Sequence, residues 1–231
     1  QDLLNMVIHD LRGPIGNMIN SIELLPMLLA ANPDPKTVNR VLDLALQTSQ
    51  EVKDLVDSML DIGRLEQGEV PLQRELVELE ELIQAVEKQA TPRAAAKAMA
   101  LTFDPLPEIP PVWLDANMIR RVLINLIDNA IKYTPREGKV SLTTSLAADT
   151  ITFAVTDNGP GISKADQVHI FNKFVRVDHS TNAPAGVGLG LAFCKLAAEA
   201  HGGKISVQSA GIPGQGSTFT LSLPLILEPR P

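Results

Sequence analysis

The sequence predicts an α-helical hairpin that forms a dimeric four-helix bundle, followed by an α/β sandwich. Three observations predict this fold class. Apolar residues recur every three or four positions from Leu4 to Ile62, which is the period of an amphipathic helix. The segment Asn32-Pro33-Asp34-Pro35 breaks that pattern once, as a turn between two helices does. Beyond Pro71, short strand-like segments alternate with helical ones, which is typical of helices packed on a sheet.

The first helix is predicted to run to about Ala31 and to carry an exposed histidine opposite its apolar stripe. His9 lies two residues before the apolar Leu11, about 200° round a helix of 3.6 residues per turn, so it points into water. An ordinary solvated histidine is the alternative interpretation. Asp10 beside it and Pro14 five residues on favour a functional one. The apolar stripe consists of Leu4, Val7, Leu11, Ile15, Met18, Ile22, Leu25 and Leu29.

The second helix carries a heptad register and more apolar surface than one partner helix can cover. The additional apolar residues, at Leu42, Leu44, Leu46, Val56 and Leu60, widen its stripe. Pairing of two hairpins into a four-helix bundle would bury this surface. A hairpin packed on the second domain of its own chain is the alternative. The heptad positions are Val38, Val41, Ala45, Thr48, Val52, Leu55, Met59 and Ile62.

The second domain is predicted to begin after a boundary between Gly63 and Pro71. A long segment from Asp157 to Gly190 has little predicted structure, so it is either a lid or a segment whose regular structure the pattern does not reveal. The turn Ala147-Ala148-Asp149 is expected to join two strands as a hairpin. The predicted strands are Leu72–Val77, Leu101–Phe103, Pro111–Leu114, Lys139–Leu146, Thr150–Thr156, Lys204–Gln208 and Ser217–Leu223, and the helices are Leu79–Met99, Asp115–Tyr133 and Leu191–His201. Asp115 is predicted to cap the N-terminus of the helix that runs to Tyr133.

Composition excludes several classes of function. The net charge of -7 argues against a nucleic-acid-binding protein, which needs a basic surface. The single cysteine, Cys194, excludes an internal disulfide and fits a reducing compartment. No apolar run reaches the roughly 18 residues of a membrane span. Because the chain starts within a helical pattern and without methionine, we expect it to be a piece of a longer protein, cytoplasmic and without membrane contact of its own.

One face of the predicted helix 115–133 carries side chains suited to a metal–phosphate ligand. Asn125 and Asn129 are four residues apart, and Lys132 follows three residues later. Amide oxygens can bind Mg²⁺ or its waters, and a lysine supplies positive charge for phosphates. A merely solvated face is the alternative.

Two glycine-containing segments flank the predicted lid. Asp157 follows directly on a strand, where its carboxylate could accept hydrogen bonds from an exocyclic amine, and Gly159 and Gly161 let backbone approach a ligand. Gly186–Leu191 precedes a helix whose N-terminal amides could hold phosphate. Neither the dinucleotide-binding fingerprint nor a P-loop fits these spacings.

Taken in order, these segments resemble the motifs of sensor histidine kinases of two-component signalling over nearly the whole chain. His9-Asp10-Leu11-Arg12-Gly13-Pro14 resembles the H-box, and residues 125–135 resemble the N-box. Asp157-Asn158-Gly159-Pro160-Gly161-Ile162 is similar to the G1 box, and residues 171–178 to the F-box. Gly186–Leu191 is similar to the G2 box, and Gly216-Ser217-Thr218 to the turn that closes the nucleotide site.

The resemblance implies a dimerisation and histidine-phosphotransfer domain at 1–67 and a Bergerat-type ATP-binding domain at 68–231. The implied reaction is autophosphorylation of His9 from ATP, with Mg²⁺, followed by transfer to an aspartate in the receiver domain of a response regulator. The implied partners are therefore a second copy of the chain and that receiver domain. Asp10 would accept the proton on the far nitrogen of His9, and Arg176 would reach the γ-phosphate.

The same resemblance implies a nucleotide site. Asp157 would bind the adenine amino group, Asn125 and Asn129 would hold Mg²⁺, and residues 163–185 would form the ATP lid. The remaining implied nucleotide-binding residues are Lys132, Tyr133, Gly159, Gly161, Gly186, Gly188, Leu189, Gly190 and Thr218.

One position departs from the family pattern. Gly13 stands four residues after His9, where the family most often has threonine or asparagine, a residue associated with dephosphorylating the response regulator. Phosphatase activity is therefore not expected. Two alternatives remain: a gyrase- or chaperone-type ATPase, which would typically have a glutamate where this chain has Asn125, and a non-catalytic dimeric scaffold.

Overall fold

The structure, a computed structural model, describes residues 2–30, 34–67, 71–175 and 188–227, without the side chains of residues 2–12, 14, 35, 47, 51, 54 and 55. The chain forms two compact units, Gln1–Leu60 and Asp61–Pro231. Among the described residues, no helix has both the length and the apolarity to cross a membrane. The elements in chain order are α1 (Asp2–Ala30), α2 (Pro35–Glu66), β1 (Glu75–Val77), α3 (Leu79–Ala96), β2 (Ala100–Phe103), β3 (Val112–Leu114), α4 (Ala116–Tyr133), β4 (Lys139–Ala147), β5 (Thr150–Asp157), α5 (Lys164–Gln167), α6 (Gly190–Ala200), β6 (Lys204–Ser209) and β7 (Ser217–Pro224).

The first unit consists of α1 and most of α2. Pro35 occupies the first helical position of α2, where its missing N–H costs nothing, and the Asp34 carbonyl accepts a hydrogen bond from Thr37 N at 2.8 Å. The predicted heptad register of α2 is confirmed wherever side chains are described. Those positions, all buried or half-buried, are Val38, Val41, Ala45, Thr48, Val52, Met59 and Ile62.

The predicted stripe of α1 is partly wrong. Ile22 and Leu29 are 53% and 62% exposed, whereas Ser21 is buried at 4%. A helix advances about 100° per residue, so a short stripe can be placed one residue off by periodicity alone. Ser21 tolerates burial because its hydroxyl donates to the Asn17 carbonyl at 2.8 Å.

The second unit is built on a five-stranded sheet in the order β2-β4-β5-β7-β6. Only the β2–β4 pair is parallel, and the other three pairs are antiparallel. Along β5 and β7 buried and half-buried residues alternate, so one face of the sheet is covered. Helices α3, α4 and α6 pack on the sheet, and β1 pairs with β3 in a separate two-stranded sheet. The predicted α/β sandwich is confirmed.

Several predicted boundaries need correction. Helix α2 continues through Gly63 to Glu66, because its last turn belongs to the second unit: Asp61 pairs with Arg121, and Glu66 pairs with Lys173 at 2.5 Å. The predicted strand from Leu72 shortens to β1. The segment after Asp157 contains the short helix α5, which the sequence pattern did not predict.

Candidate functional site

Helix α4 supplies the central wall of the site. Asp115 caps its N-terminus, as predicted: one carboxylate oxygen accepts from Met118 N at 3.0 Å, and the other accepts from Gln73 N at 3.1 Å. The apolar side of the helix is buried in the core, whereas Asn125, Asn129 and Lys132 are half-buried. The structure therefore brings the three predicted polar residues to the less buried side of one helix. The Lys132 ammonium lies 4.9 Å from the centre of the Tyr133 ring.

Asp157 is the last residue of β5, the central strand of the sheet. Its Oδ1 accepts a hydrogen bond from Gly159 N at 2.7 Å. Burial raises the pKa of the Asp157 carboxyl above its ordinary value, although hydrogen bonds from the Gly159 and Ser217 backbones act to lower it. A carboxylate with a raised pKa at the end of a strand is typical of a functional site.

The turn before β7 closes tightly against the Asp157 loop. The N–H groups of Gly214 and Gly216 donate to the Gly159 carbonyl at 2.9 and 3.1 Å. A Cβ added to Gly216 would lie 1.8 Å from the Asp157 carbonyl oxygen, so only glycine fits there. The hydroxyls of Thr156 and Thr218 lie 3.0 Å apart across the two strands, which places the predicted Thr218 beside the Asp157 strand end.

Thr134 places an unsatisfied hydroxyl beside the same loop. Its side chain is fully buried, and its Oγ1 has no hydrogen-bond partner among the described residues. A Cβ added to Gly159 would lie 3.2 Å from that oxygen and 2.8 Å from Asp157 Oδ1. A buried hydroxyl without a partner is costly, so this end of the site fits a ligand, or an ordered water, that can hydrogen-bond to it.

The second glycine segment leads into α6 and lies against α4. Gly188 has a φ of +74°, and an added Cβ would lie 2.8 Å from the Phe174 carbonyl carbon, so glycine is required. The Gly188 carbonyl accepts from Phe174 N at 2.9 Å, which ties this segment to the predicted F-box. Gly190 begins α6 and faces Asn125, whose Oδ1 would lie 3.8 Å from an added Cβ. The N-terminus of α6 thus meets the amide face of α4.

Part of the predicted site lies outside the described residues. Arg176 and Gly186 are not described, nor are the side chains of His9 and Asp10, which belong to α1. The residues of the predicted lid up to Val175 include α5, and its remainder is not described. The roles assigned to these residues stay predictions.

Two further residues shape the site without a signal in the sequence. Ser209 bridges the loop and the turn: its hydroxyl donates to the Gly216 carbonyl at 2.7 Å and accepts from Ile162 N at 2.9 Å. Gln167 donates to the carbonyls of Ile162 and Ser209 at 2.7 and 2.9 Å. Two of these four hydrogen bonds, Ile162 to Ser209 and Gln167 to Ser209, join residues more than 40 positions apart, and the other two lie in irregular segments. No local pattern therefore predicts them. Thr134 does have a signal, because it directly follows Tyr133 in the N-box.

A cavity of about 540 Å³ in the second unit contains none of the predicted nucleotide-binding residues. Its wall includes Arg121, whose guanidinium lies 4.1 Å from the centre of the Phe193 ring. The described residues contain no cluster of three or more histidine, cysteine, aspartate or glutamate side chains suited to a metal. The amide oxygens of Asn125 and Asn129, together with the phosphates of a nucleotide, are groups that could hold a cation in the predicted site.

Comparison with known proteins matches both units to family models. Residues 1–68 match the His Kinase A (phospho-acceptor) domain. Residues 114–227 match the family described as Histidine kinase-, DNA gyrase B-, and HSP90-like ATPase, and this match covers α4, the Asp157 loop, α6 and β7. The chain belongs to the histidine kinase family. The family expected from the sequence motifs is therefore confirmed.

Relatives of this histidine kinase cover nearly the whole chain. It is 33% identical over 224 residues to the adaptive-response sensory kinase SasA of Synechococcus sp. (strain JA-2-3B'a(2-13)). This match covers 96% of the chain and 59% of SasA. The histidine kinase AdeS of Acinetobacter baumannii has a TM-score of 0.73 at 25% identity, over 94% of this chain and 98% of AdeS. Full-length ShkA in complex with AMPPNP has a TM-score of 0.70 at 28% identity, over 99% of this chain and 47% of ShkA.

Proposed function

We propose that this histidine kinase transfers the γ-phosphoryl group of ATP to His9 and then to an aspartate of a response-regulator receiver domain. The observation that carries the proposal is the meeting of three elements in the second unit: the amide face of α4, the Asp157 loop and the start of α6. The match of residues 1–68 to a phospho-acceptor domain supports His9 as the acceptor. The chain spans 59% of the length of SasA.

Asp157 and Thr134 form the end of the site that we assign to adenine. Adenine carries an exocyclic amine that donates and ring nitrogens that accept. The Asp157 carboxylate can accept from the amine, and the unsatisfied Thr134 hydroxyl can donate toward the ring directly or through water. Guanine has a carbonyl where adenine has the amine, so two acceptors would face each other. ATP is therefore the expected nucleotide and GTP is not.

Asn125, Asn129 and Lys132 form the end that we assign to the phosphates. Amide oxygens and phosphate oxygens are the hard ligands that Mg²⁺ takes, and the half-buried face of α4 presents such groups. When bound, Mg²⁺ would neutralise charge that develops on the phosphates. The backbone N–H groups at the start of α6, next to Gly190, add the positive end of a helix dipole. Phosphoryl transfer requires mostly such positioning and charge stabilisation, and the family resemblance adds Gly159, Gly161, Gly186, Gly188 and Leu189 to the cradle.

By resemblance to the family, His9 is the acceptor of the phosphoryl group and Asp10 assists it. A neutral imidazole, with an ordinary pKa of about 6.5, is a competent nucleophile near neutral pH. Asp10 would hold the proton on the far nitrogen and stabilise the positive charge that develops during attack. Arg176 would bind the γ-phosphate.

The first unit presents the surface that we assign to dimerisation. Large apolar side chains remain exposed on both of its helices, among them Met27 at 72% and Leu46 at 68%. A second copy would cover them as a four-helix bundle. We also propose the functional division at 1–67 and 68–231, and cytoplasmic action, since ATP and reduced Cys194 both suit that compartment.

Incubation of the full chain with γ-labelled ATP tests the proposal. Acid-labile label should appear on the unmodified chain, and His9→Gln should abolish it while nucleotide binding is unchanged. His169→Gln removes an exposed histidine of the predicted lid; acid-labile label should still appear on this variant, because His9 is intact. Acid-labile label on the His9 variant would contradict the proposal.

A further inference from the structure

Pro135 interrupts the hydrogen bonding at the end of α4. In a helix the carbonyl of each residue accepts from the N–H group four residues later. The Ala130 carbonyl accepts from Thr134 N at 3.0 Å in this way. The next carbonyl, that of Ile131, would need the N–H group of residue 135, and a proline has none. This carbonyl therefore needs a donor from elsewhere in the fold.

The side chain of Lys97, the half-buried residue that follows α3, supplies this donor. Its Nζ donates to the carbonyl oxygens of Ile131 at 2.7 Å and of Lys132 at 2.9 Å. A longer contact of 3.5 Å reaches the Thr134 carbonyl. The ammonium group has three N–H donors, and its positive charge also complements the negative end of the α4 dipole. One side chain thus satisfies the end of α4.

The backbone around Lys97 holds the turn that follows α4. The Lys97 carbonyl accepts from Glu137 N at 3.2 Å, and Ala100 N donates to the Gly138 carbonyl at 2.9 Å. The connection from α3 to β2 therefore fixes both the last turn of α4 and the residues after it. Lys97 lies outside residues 114–227, which match the ATPase family model, and belongs to none of the sequence motifs described above. Neither source gives it a role.

We propose that Lys97 is a positioning residue that fixes the last turn of α4 and thereby holds the Lys132 side chain at the phosphate end of the nucleotide. The two shorter bonds of its Nζ go to that turn, and one of them goes to the backbone of Lys132 itself. The same turn carries the Tyr133 ring, whose centre lies 4.9 Å from the Lys132 ammonium. This inference rests on the proposed function, because it takes Lys132 as a group that binds the phosphates.

The test measures the dissociation constants of adenosine and of ATP from the full chain in excess Mg²⁺. The ratio of the two constants is the gain in affinity that the phosphates provide. Lys97→Met keeps an apolar stem of similar length but removes the donors and the charge. It should reduce the gain by about tenfold, the lower end of the loss seen when an outer hydrogen-bond partner of a metal ligand is removed. The affinity for adenosine should stay unchanged, because the Asp157 loop is intact.

Further variants separate positioning from net charge and from the proposed function. Lys88→Met removes the same charge from an exposed position of α3 and should leave the gain unchanged. Lys132→Met should abolish most of the gain. When it is combined with Lys97→Met, the second substitution should reduce the gain little further, because the residue through which Lys97 acts is gone. Lys97→Gln replaces Lys97→Met if the loss of every donor prevents folding. Its shorter, neutral amide should change the gain in the same direction.

Each outcome supports or overturns the inference. An unchanged gain in Lys97→Met, or in Lys97→Gln where only that variant folds, overturns the role of Lys97 alone if Lys132→Met loses the gain. Equal weakening of ATP and adenosine also overturns it, because that pattern indicates general damage to the unit. An equal loss in Lys88→Met, or additive losses in the double variant, overturns it too, because the loss then does not pass through Lys132. A full gain in Lys132→Met overturns both this inference and the assignment of Lys132 to the phosphates.

Discussion

The two units of this histidine kinase differ in how completely they bury their apolar side chains. In the second unit Val86, Ile119, Leu123 and Phe153 are fully buried between sheet and helices. Among the described side chains, ten large apolar ones stay exposed within residues 1–60, and five do so in the much longer remainder. The second unit therefore has a core of its own, whereas the first needs a further surface to cover it. The difference fits the proposed function, in which one chain is enough to fold the nucleotide-binding unit and a second copy covers the apolar surface of the acceptor unit.

The largest expected effect is a loss of stability of the second unit on substitution of Gly216. Gly216→Ala would place a Cβ 1.8 Å from the Asp157 carbonyl oxygen at a φ of +67°. Overpacking and backbone strain together should reduce the free energy of unfolding of this unit by about 4 kcal/mol. Denaturant unfolding followed separately for each unit measures the effect. Gly214→Ala is the matched control, because its φ is +86° but its Cβ would meet nothing within 4 Å. A smaller loss in Gly216→Ala than in Gly214→Ala would contradict the prediction.

The next effect is confined to the first unit. Leu46→Glu replaces an exposed leucine by a charge and should weaken the dimer by about 10²-fold or more, since each copy loses the burial of one leucine. Sedimentation equilibrium measures the dimer dissociation constant. Ser49→Glu adds the same charge one turn away on the same surface but removes no apolar side chain, so it should weaken the dimer less than Leu46→Glu does. Equal ATP affinity in both variants would support independence of the two units, and a monomeric unmodified chain would contradict the assignment of this surface.

A smaller expected effect is a pH dependence of the stability of the second unit, caused by His201. His201 is buried; its Nδ1 donates to the Ala197 carbonyl at 2.8 Å, and its Nε2 accepts from Asp115 N at 3.2 Å. Burial lowers the pKa of this imidazole, and the nearby Arg74 also lowers it, although the Ala197 carbonyl and Asp115 raise it. The unfolded chain binds the His201 proton more tightly than the folded chain, because its imidazole has the ordinary pKa of about 6.5. The free energy of unfolding is therefore at its full value above about pH 6.5, and it decreases as the pH falls from there toward the lowered pKa of the folded chain.

Protonation would place an N–H against the Asp115 N–H at the start of α4. Losing that acceptor should cost about 1–3 kcal/mol at acid pH. Thermal unfolding of the second unit between neutral and mildly acid pH measures the loss. His201→Gln should be less stable at neutral pH but should lose less on acidification. A slope equal to that of the unmodified chain would assign the acid sensitivity to other groups.

The smallest effect tests a helical glycine in the first unit. Gly13 is exposed, and an added Cβ would meet nothing within 4 Å. Gly13→Ala should therefore stabilise α1 by about 1 kcal/mol through lower backbone entropy in the unfolded chain. Thermal unfolding of the first unit measures the gain. A loss of stability would show that this position is in contact with a group from another chain.

The sequence predicted the helices and strands well where periodicity is strong, and less well where contacts between distant residues decide. The heptad register of α2 and the cap at Asp115 follow from local spacing, and both are confirmed. The end of α2 does not follow from local spacing, because ion pairs to Arg121 and Lys173 hold its last turn. The turn between β4 and β5 is one residue shorter than predicted. Ala147 pairs with Thr150, so only Ala148 and Asp149 connect the two strands.

Local patterns in the sequence are enough to predict the residue types of the site and the order in which they occur. Asn125, Asn129 and Lys132 share a helix face because of their spacing, and Asp157 ends a strand because of the alternation before it. What those residues contact depends on tertiary packing. The packing of α6 on α4 brings Gly190 to Asn125 and the Cys194 thiol to the Val122 carbonyl, and the pairing of β5 with β7 brings Gly216 onto Asp157. These partners are about 60 or more residues apart in the chain, so local periodicity carries no information about their contact.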